Sequence, residues 1–163
     1  DGSRADLIMI KGGGYRHPSS EETLREKVVD EYGNIRSDEQ GYMQGGDVFN
    51  FVIREIPRDI KKTLEYAGDT ADSFDYIVFH QANNFINAYI AKKMKLDTDK
   101  IPSTIAKYGN TSSVSVPLTI VSELKDRLYG NKKLLLSAFG VGMTWATGIV
   151  PFVDCKISDI VEV

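Results

Sequence analysis

Residues 79–83 read Phe-His-Gln-Ala-Asn, and about thirty positions later residues 108–112 read Tyr-Gly-Asn-Thr-Ser. His80 leaves an apolar run just before a helix start, and Asn110 sits in a Gly-Asn turn before another helix. A neutral imidazole donates one N–H, and a carboxamide donates two without changing charge. Two such donors converging on one oxygen make an oxyanion hole, whose members are typically each worth on the order of 10² to 10³ in rate. Each residue also has a plainer reading. His80 alone is equally a partly buried histidine capping the next helix, and Gly-Asn-Thr-Ser alone is a good turn and cap. The pairing favours chemistry.

A third stretch, Gly140-Val141-Gly142, lets backbone N–H groups approach a ligand closely, or simply makes a tight turn. It is no phosphate loop, because no Lys-Ser or Lys-Thr follows and a strand comes next. A nucleophile is missing. Cys155, the single cysteine, lies in or just past the final strand and reads as a bystander. His17 precedes Pro18 in a polar segment. Two distant histidines and one cysteine give no metal-ligand spacing. Lys92 and Lys93 form a solvated face or part of a patch for an acidic partner.

The elements that must position these groups alternate. Residues 5–11 read as a strand ended by glycines, and 15–42 as a polar surface region with a short helix over 20–31. Apolar residues then recur at helical spacing from Gln44 to Ala67, with Pro57 expected to kink or split the helix. Residues 74–79 suit a buried strand, and Asn83 caps a helix to about Lys95 with Phe85, Ile86, Tyr89, Ile90 and Met94 on one side. A strand-like piece over 101–105 precedes a helix over 113–129 with a stripe of Leu118, Val121, Leu124 and Leu128. Strands over 133–139 and 144–153 close the chain as sheet neighbours. Strands that are apolar on both faces need helices on both sides, so the expected fold is α/β and layered.

The 163 residues suffice for one core-bearing domain, and 42% hydrophobic with 26% charged residues is an ordinary globular balance. A net charge of −3 offers no overall basic field for nucleic acid. No run approaches a membrane span, and one cysteine makes no internal disulfide, so cytoplasm is the default compartment. The chain lacks an initiator methionine and reads as cut from something longer.

His80-Gln81-Ala82-Asn83, Gly109-Asn110-Thr111-Ser112 and Phe139-Gly140-x-Gly142-x-Thr144-Trp145 together resemble the C-terminal half of β-ketoacyl-acyl-carrier-protein synthase III. Met43-Gln44-Gly45-Gly46-Asp47-Val48-Phe49 and the opening Asp1-Gly2-Ser3 extend the likeness to about residues 1–153. The resemblance implies a thiolase-like half, a layered α/β/α arrangement with a mixed sheet, incomplete at its N-terminus, over the whole of 1–163. It implies an acyltransferase of fatty-acid biosynthesis that condenses malonyl-carrier protein with an acyl-CoA-derived thioester. His80 and Asn110 would bind the thioester oxygen as the enolate develops, and the backbone around Val141 would support a second oxyanion hole. Asn83 would support the catalytic groups or ordered water. Lys92 and Lys93 match a basic patch for the acyl-carrier protein, although Phe85 stands where many members have arginine. No cofactor is implied beyond acyl-CoA as substrate. The nucleophilic cysteine belongs to the absent N-terminal half, so this chain alone is expected to be inactive and to associate with that half and as a homodimer. Another thiolase-fold acyltransferase and a non-catalytic partner subunit remain the alternatives.

Overall fold

The computed structural model describes residues 1–161; the last two positions of the expected 1–163 domain lie outside the described residues. The chain packs as two compact units, one of residues 1–49 with 140–144 and the other of 50–139 with the segment from Trp145 onward.

In the first unit the expected strand over 5–11 shrinks to β1, Ile8–Met9, paired antiparallel with β4, Tyr42–Met43. The residues before it wind into a 3-10 helix, Gly2–Leu7, capped by the Asp1 carboxylate, which accepts the Ser3 N–H. Helix α1 covers only Glu21–Leu24, started by a reciprocal capping box of Ser20 and Thr23. The rest of the expected 20–31 helix becomes a hairpin of β2, Lys27–Val28, and β3, Ile35–Arg36. Asp30 causes the change: its carboxylate accepts the backbone N–H groups of Tyr32 and Asn34, and Gly33 takes φ +77°. Side chains of this type compete with the helix for backbone donors. The turn 141–143 also belongs here. Gly142 has φ +110°, and a Cβ there would lie 3.2 Å from Thr144 Cγ2.

Helix α2 spans Gly45–Ala67, and its first turn belongs to the first unit. Pro57 does not split the helix; one helix runs through it. Pro57 is itself buried, and Val52, Ile56 and Ile60 on either side of it are fully buried. Burying that continuous apolar face outweighs the one backbone hydrogen bond that proline removes.

The second unit is built on a three-stranded sheet, ordered β5, β6, β7. Strand β5, Tyr76–Phe79, runs parallel to β6, Asn131–Gly140, with Val78 opposite Leu136. Strand β7, Thr144–Val153, follows β6 after three residues. A connection that short permits only an antiparallel pair, so the sheet is mixed. Tyr76 and Val78 of β5, Leu134 and Leu136 of β6 and Phe152 of β7 pack with Ile120, Leu124 and Leu128 on one face. The opposite face carries Ile77, Phe79 and Leu135, all buried. Trp145, of opposite parity to Phe152, meets Phe51 of α2 edge-on at 5.2 Å. Helices therefore flank both faces, and the expected α/β layering and mixed sheet are present.

Helix α3, Asn84–Met94, starts at its Asn83 cap, with Oδ1 accepting the Ile86 N–H at 2.8 Å. Ile86 and Ile90 of the expected stripe are buried, joined by Asn87 and Ala91, while Phe85 is 68% exposed and Tyr89 also reaches solvent. Lys93 Nζ donates to the Ile53 carbonyl, which ties α3 to α2.

The strand expected over 101–105 is absent. Ile101 gives its N–H to Thr98, and Thr104 gives its N–H to the Gln81 side chain, so no ladder forms. Helix α4, Ile105–Tyr108, follows. The expected helix over 113–129 is present in pieces: a 3-10 turn at Ser112–Val114, α5 at Ser115–Thr119, a π turn at Ile120–Leu124 and a 3-10 turn at Lys125–Arg127. The π turn shifts the buried face. Thr119 and Ile120 go inside with Leu124 and Leu128, while Leu118 and Val121 are only half-buried.

Candidate active site

The site is assembled at the carboxyl end of β5, where α/β sheets characteristically place their ligands. His80 is the first residue past the strand. Its backbone still belongs to the sheet, since its N–H donates to the Ser137 carbonyl of β6 at 2.8 Å. Its carbonyl accepts from Asn87 Nδ2 at 3.2 Å. The imidazole meets the Phe139 ring edge-on, with centroids 5.1 Å apart. Its Nδ1 lies 2.6 Å from the hydroxyl of Ser115, the first residue of α5. Burial lowers the His80 pKa from its ordinary value of 6.5 and favours the neutral ring.

Asn110 lies on the segment leading into α5. Gly109 ends α4 with φ +66°, a turn that glycine makes at no steric cost. The Asn110 Oδ1 accepts the Ser112 N–H at 2.9 Å. Ser112 adopts φ +55°, unusual for a residue with a Cβ. That bond engages the acceptor end of the Asn110 carboxamide, which leaves its two N–H donors to point elsewhere. His80 and the start of α5 are thus joined directly through Ser115, and Asn110 stands five residues before that junction.

A buried polar frame surrounds the junction. Gln81, fully buried, donates through Nε2 to the Phe79 carbonyl at 2.8 Å. Its Oε1 accepts from Thr104 N–H and Ser103 Oγ. Thr104 Oγ1 meets Thr119 Oγ1 at 2.8 Å, and Thr119 Oγ1 donates to the Ser115 carbonyl at 2.8 Å. None of these framing residues stood out in the sequence as functional. For Ser115 and Thr119 the available signal was their spacing of four on one face of a helix.

The other expected site residues lie as follows. Asn83 has its side-chain oxygen committed to the α3 cap. Lys92 and Lys93 are exposed in the last turn of α3, where cations complement the helix dipole. Lys93 also lies over the Tyr89 ring. Val141 is 60% exposed in the first unit, and its carbonyl accepts the Thr144 hydroxyl at 2.7 Å. Cys155 is exposed just past β7, and His17 is exposed as well. Among the described residues no three His, Cys, Asp or Glu side chains cluster as metal ligands, and no helix is long and apolar enough to cross a membrane.

His80 thus stands at a strand-to-helix junction of a mixed sheet, and Asn110 in the turn between α4 and α5. Residues 64–152 match the family described as 3-oxoacyl-[acyl-carrier-protein] synthase III, C terminal, and the chain belongs to that family. It is 43% identical to the β-ketoacyl-[acyl-carrier-protein] synthase III of Streptococcus gordonii over 154 residues, covering 92% of this chain and 44% of the relative. The corresponding protein of Lactococcus lactis subsp. cremoris (strain MG1363) is 37% identical over 66% of this chain and 34% of its own length. The crystal structure of a 3-oxoacyl-(acyl-carrier protein) synthase from Burkholderia xenovorans superposes with a TM-score of 0.83 at 37% identity, covering 98% of this chain and 44% of that one. The chain therefore spans less than half the length of the curated relatives it matches.

Proposed function

We propose that this chain supplies the enolate-stabilising half of the active site of a 3-oxoacyl-acyl-carrier-protein synthase III. The reaction is a decarboxylative Claisen condensation. Malonyl-carrier protein loses CO₂, and the resulting enolate attacks an acyl thioester held on a cysteine of the N-terminal half. The tetrahedral intermediate collapses, expels the cysteine thiolate and leaves a 3-oxoacyl-carrier protein. His80 and Asn110 donate hydrogen bonds to the malonyl thioester oxygen as the electron pair from the breaking C–C bond moves onto it. Backbone around Val141 serves the oxygen of the cysteine-bound thioester, and Asn83 holds the start of α3 beside His80. No cofactor is needed, because the acyl thioester and the malonyl group bring their own leaving groups. The setting is cytoplasmic and the working enzyme a homodimer.

The observation that carries the reading is the state of the two donors. His80 is half-buried with its Nδ1 engaged, and Asn110 has its carbonyl oxygen engaged. Each keeps N–H donor capacity while remaining uncharged. Neutral donors bind developing negative charge better than they bind the uncharged ground-state carbonyl, which is the requirement for lowering the barrier.

The test separates the half-reactions in the full-length protein. His80→Ala or Asn110→Ala should each lower malonyl decarboxylation by roughly 10² to 10³ while lowering cysteine acylation much less. Equal loss of both, with folding intact, rejects the assignment. For the partner, Lys92→Glu should weaken capture of the acidic carrier protein, with the largest difference at low salt.

A further inference from the structure

Resting on the synthase reading, we infer that Ser115 is a positioning residue that fixes His80 as the tautomer protonated at Nε2. Ser115 is only 1% exposed, so bulk water does not compete for its hydroxyl. The Gln81 backbone N–H points at Ser115 Oγ at 3.2 Å, and an amide N–H can only donate, so the oxygen accepts there. The hydroxyl has one hydrogen of its own. Among the described residues the acceptor in reach of it is His80 Nδ1, at 2.6 Å. With Nδ1 accepting, the neutral ring carries its proton on Nε2, the nitrogen on the far side of the imidazole from Ser115.

Ser115 is itself held in place. Its carbonyl accepts the Thr119 hydroxyl, which uses the single Thr119 hydrogen. Thr104 must then donate across the 2.8 Å contact to Thr119. Thr104 is fastened in turn through its N–H to Gln81 Oε1. The relay runs from Gln81 through Thr104 and Thr119 to Ser115, with every one of these residues buried. Its two ends meet at the same point, because Gln81 both anchors Thr104 and donates to Ser115. An Nδ1–H tautomer would set two donors against each other unless the hydroxyl turned into its dry surroundings. Oxyanion stabilisation needs the proton on the nitrogen that faces substrate, so the choice of tautomer decides whether His80 acts at all.

The experiment is a long-range proton–nitrogen correlation of the imidazole in the full-length protein labelled with ¹⁵N-histidine, recorded well above the usual histidine pKa. His80→Gln identifies the His80 signals by their loss. The expected wild-type spectrum has a bare, hydrogen-bonded Nδ1 and a protonated Nε2. In Ser115→Ala the tautomer ratio shifts about tenfold toward the Nδ1–H form, the bias one ordinary hydrogen bond supplies, and malonyl decarboxylation falls relative to cysteine acylation. If Ser115→Ala does not fold, Ser115→Cys keeps the shape with a much weaker donor and carries the same test. A proton on Nδ1 in the wild type overturns the inference, as does an unchanged Nε2–H spectrum in the folded variant. The spectrum is read without turnover. The expected tautomer in a protein that fails to decarboxylate malonyl-carrier protein would keep the role of Ser115 and reject the synthase reading instead.

Discussion

The side-chain oxygen of Gln81 accepts the backbone N–H of Thr104 at 3.0 Å, and this bond replaces a strand with a corner. Gln81 leaves the end of β5, while Thr104 opens α4 after an irregular link. The same carboxamide donates to the carbonyl of Phe79, the last residue of β5. Gln81→Leu keeps much of the side-chain volume but orphans both backbone groups in a dry environment. The expected cost is roughly 2–4 kcal/mol, from two unsatisfied groups at about 1–3 kcal/mol each with partial relaxation. Urea denaturation of the variant against wild type checks it; a loss below half a kcal/mol would show that water reaches the corner.

Stability should fall as pH drops below the usual histidine range. Burial depresses the folded-state pKa of His80 below its ordinary 6.5. Between those two values the unfolded chain binds more protons than the folded one, so stability is full above about 6.5 and declines as pH falls toward the folded pKa. Carboxylates such as Asp69 and Asp75, whose pKa values Lys133 holds down, lose their contributions only at lower pH, below 3.8. Denaturation midpoints across the upper window should show this slope in wild type and not in His80→Gln.

The π turn makes a prediction that simple helical periodicity, which buries both Val121 and Leu124, does not. Leu124 is fully buried against Val78 and Leu134, whereas Val121 is half-buried. Leu124→Ala should cost about 2–5 kcal/mol, the range for a large-to-small change in a core that collapses only partly. Val121→Ala should cost clearly less than Leu124→Ala. Comparable losses would place both on the buried face and remove the register shift.

Asn83 separates a structural from a catalytic role. Its Oδ1 caps α3 through the Ile86 N–H. Asn83→Ala should destabilise by about 1 kcal/mol, and Asn83→Asp or Asn83→Ser should restore most of that. If Asn83→Ser restored stability but not malonyl decarboxylation in the full-length protein, the carboxamide would have a second role beside the cap.

Much of the architecture is local in origin and stands in the sequence. The short apolar run at 76–79, the Asn83 cap, the paired apolar strands and the 3.6-residue spacing of α2 each state their element through patterns within a few residues. The His80 and Asn110 motifs are legible for the same reason, since each is a strand or turn ending carrying a donor. Tertiary packing decided what those patterns leave open. It carried α2 through Pro57, because burying Val52, Ile56 and Ile60 on one continuous face is worth more than a single backbone bond. It turned Phe85 and Tyr89 outward and Asn87 inward on α3. It also brought Ser115 to His80 across 35 positions of sequence, a pairing no local periodicity encodes, since hydrogen-bond partners distant in the chain are selected only when the sheet and its flanking helices close on one another.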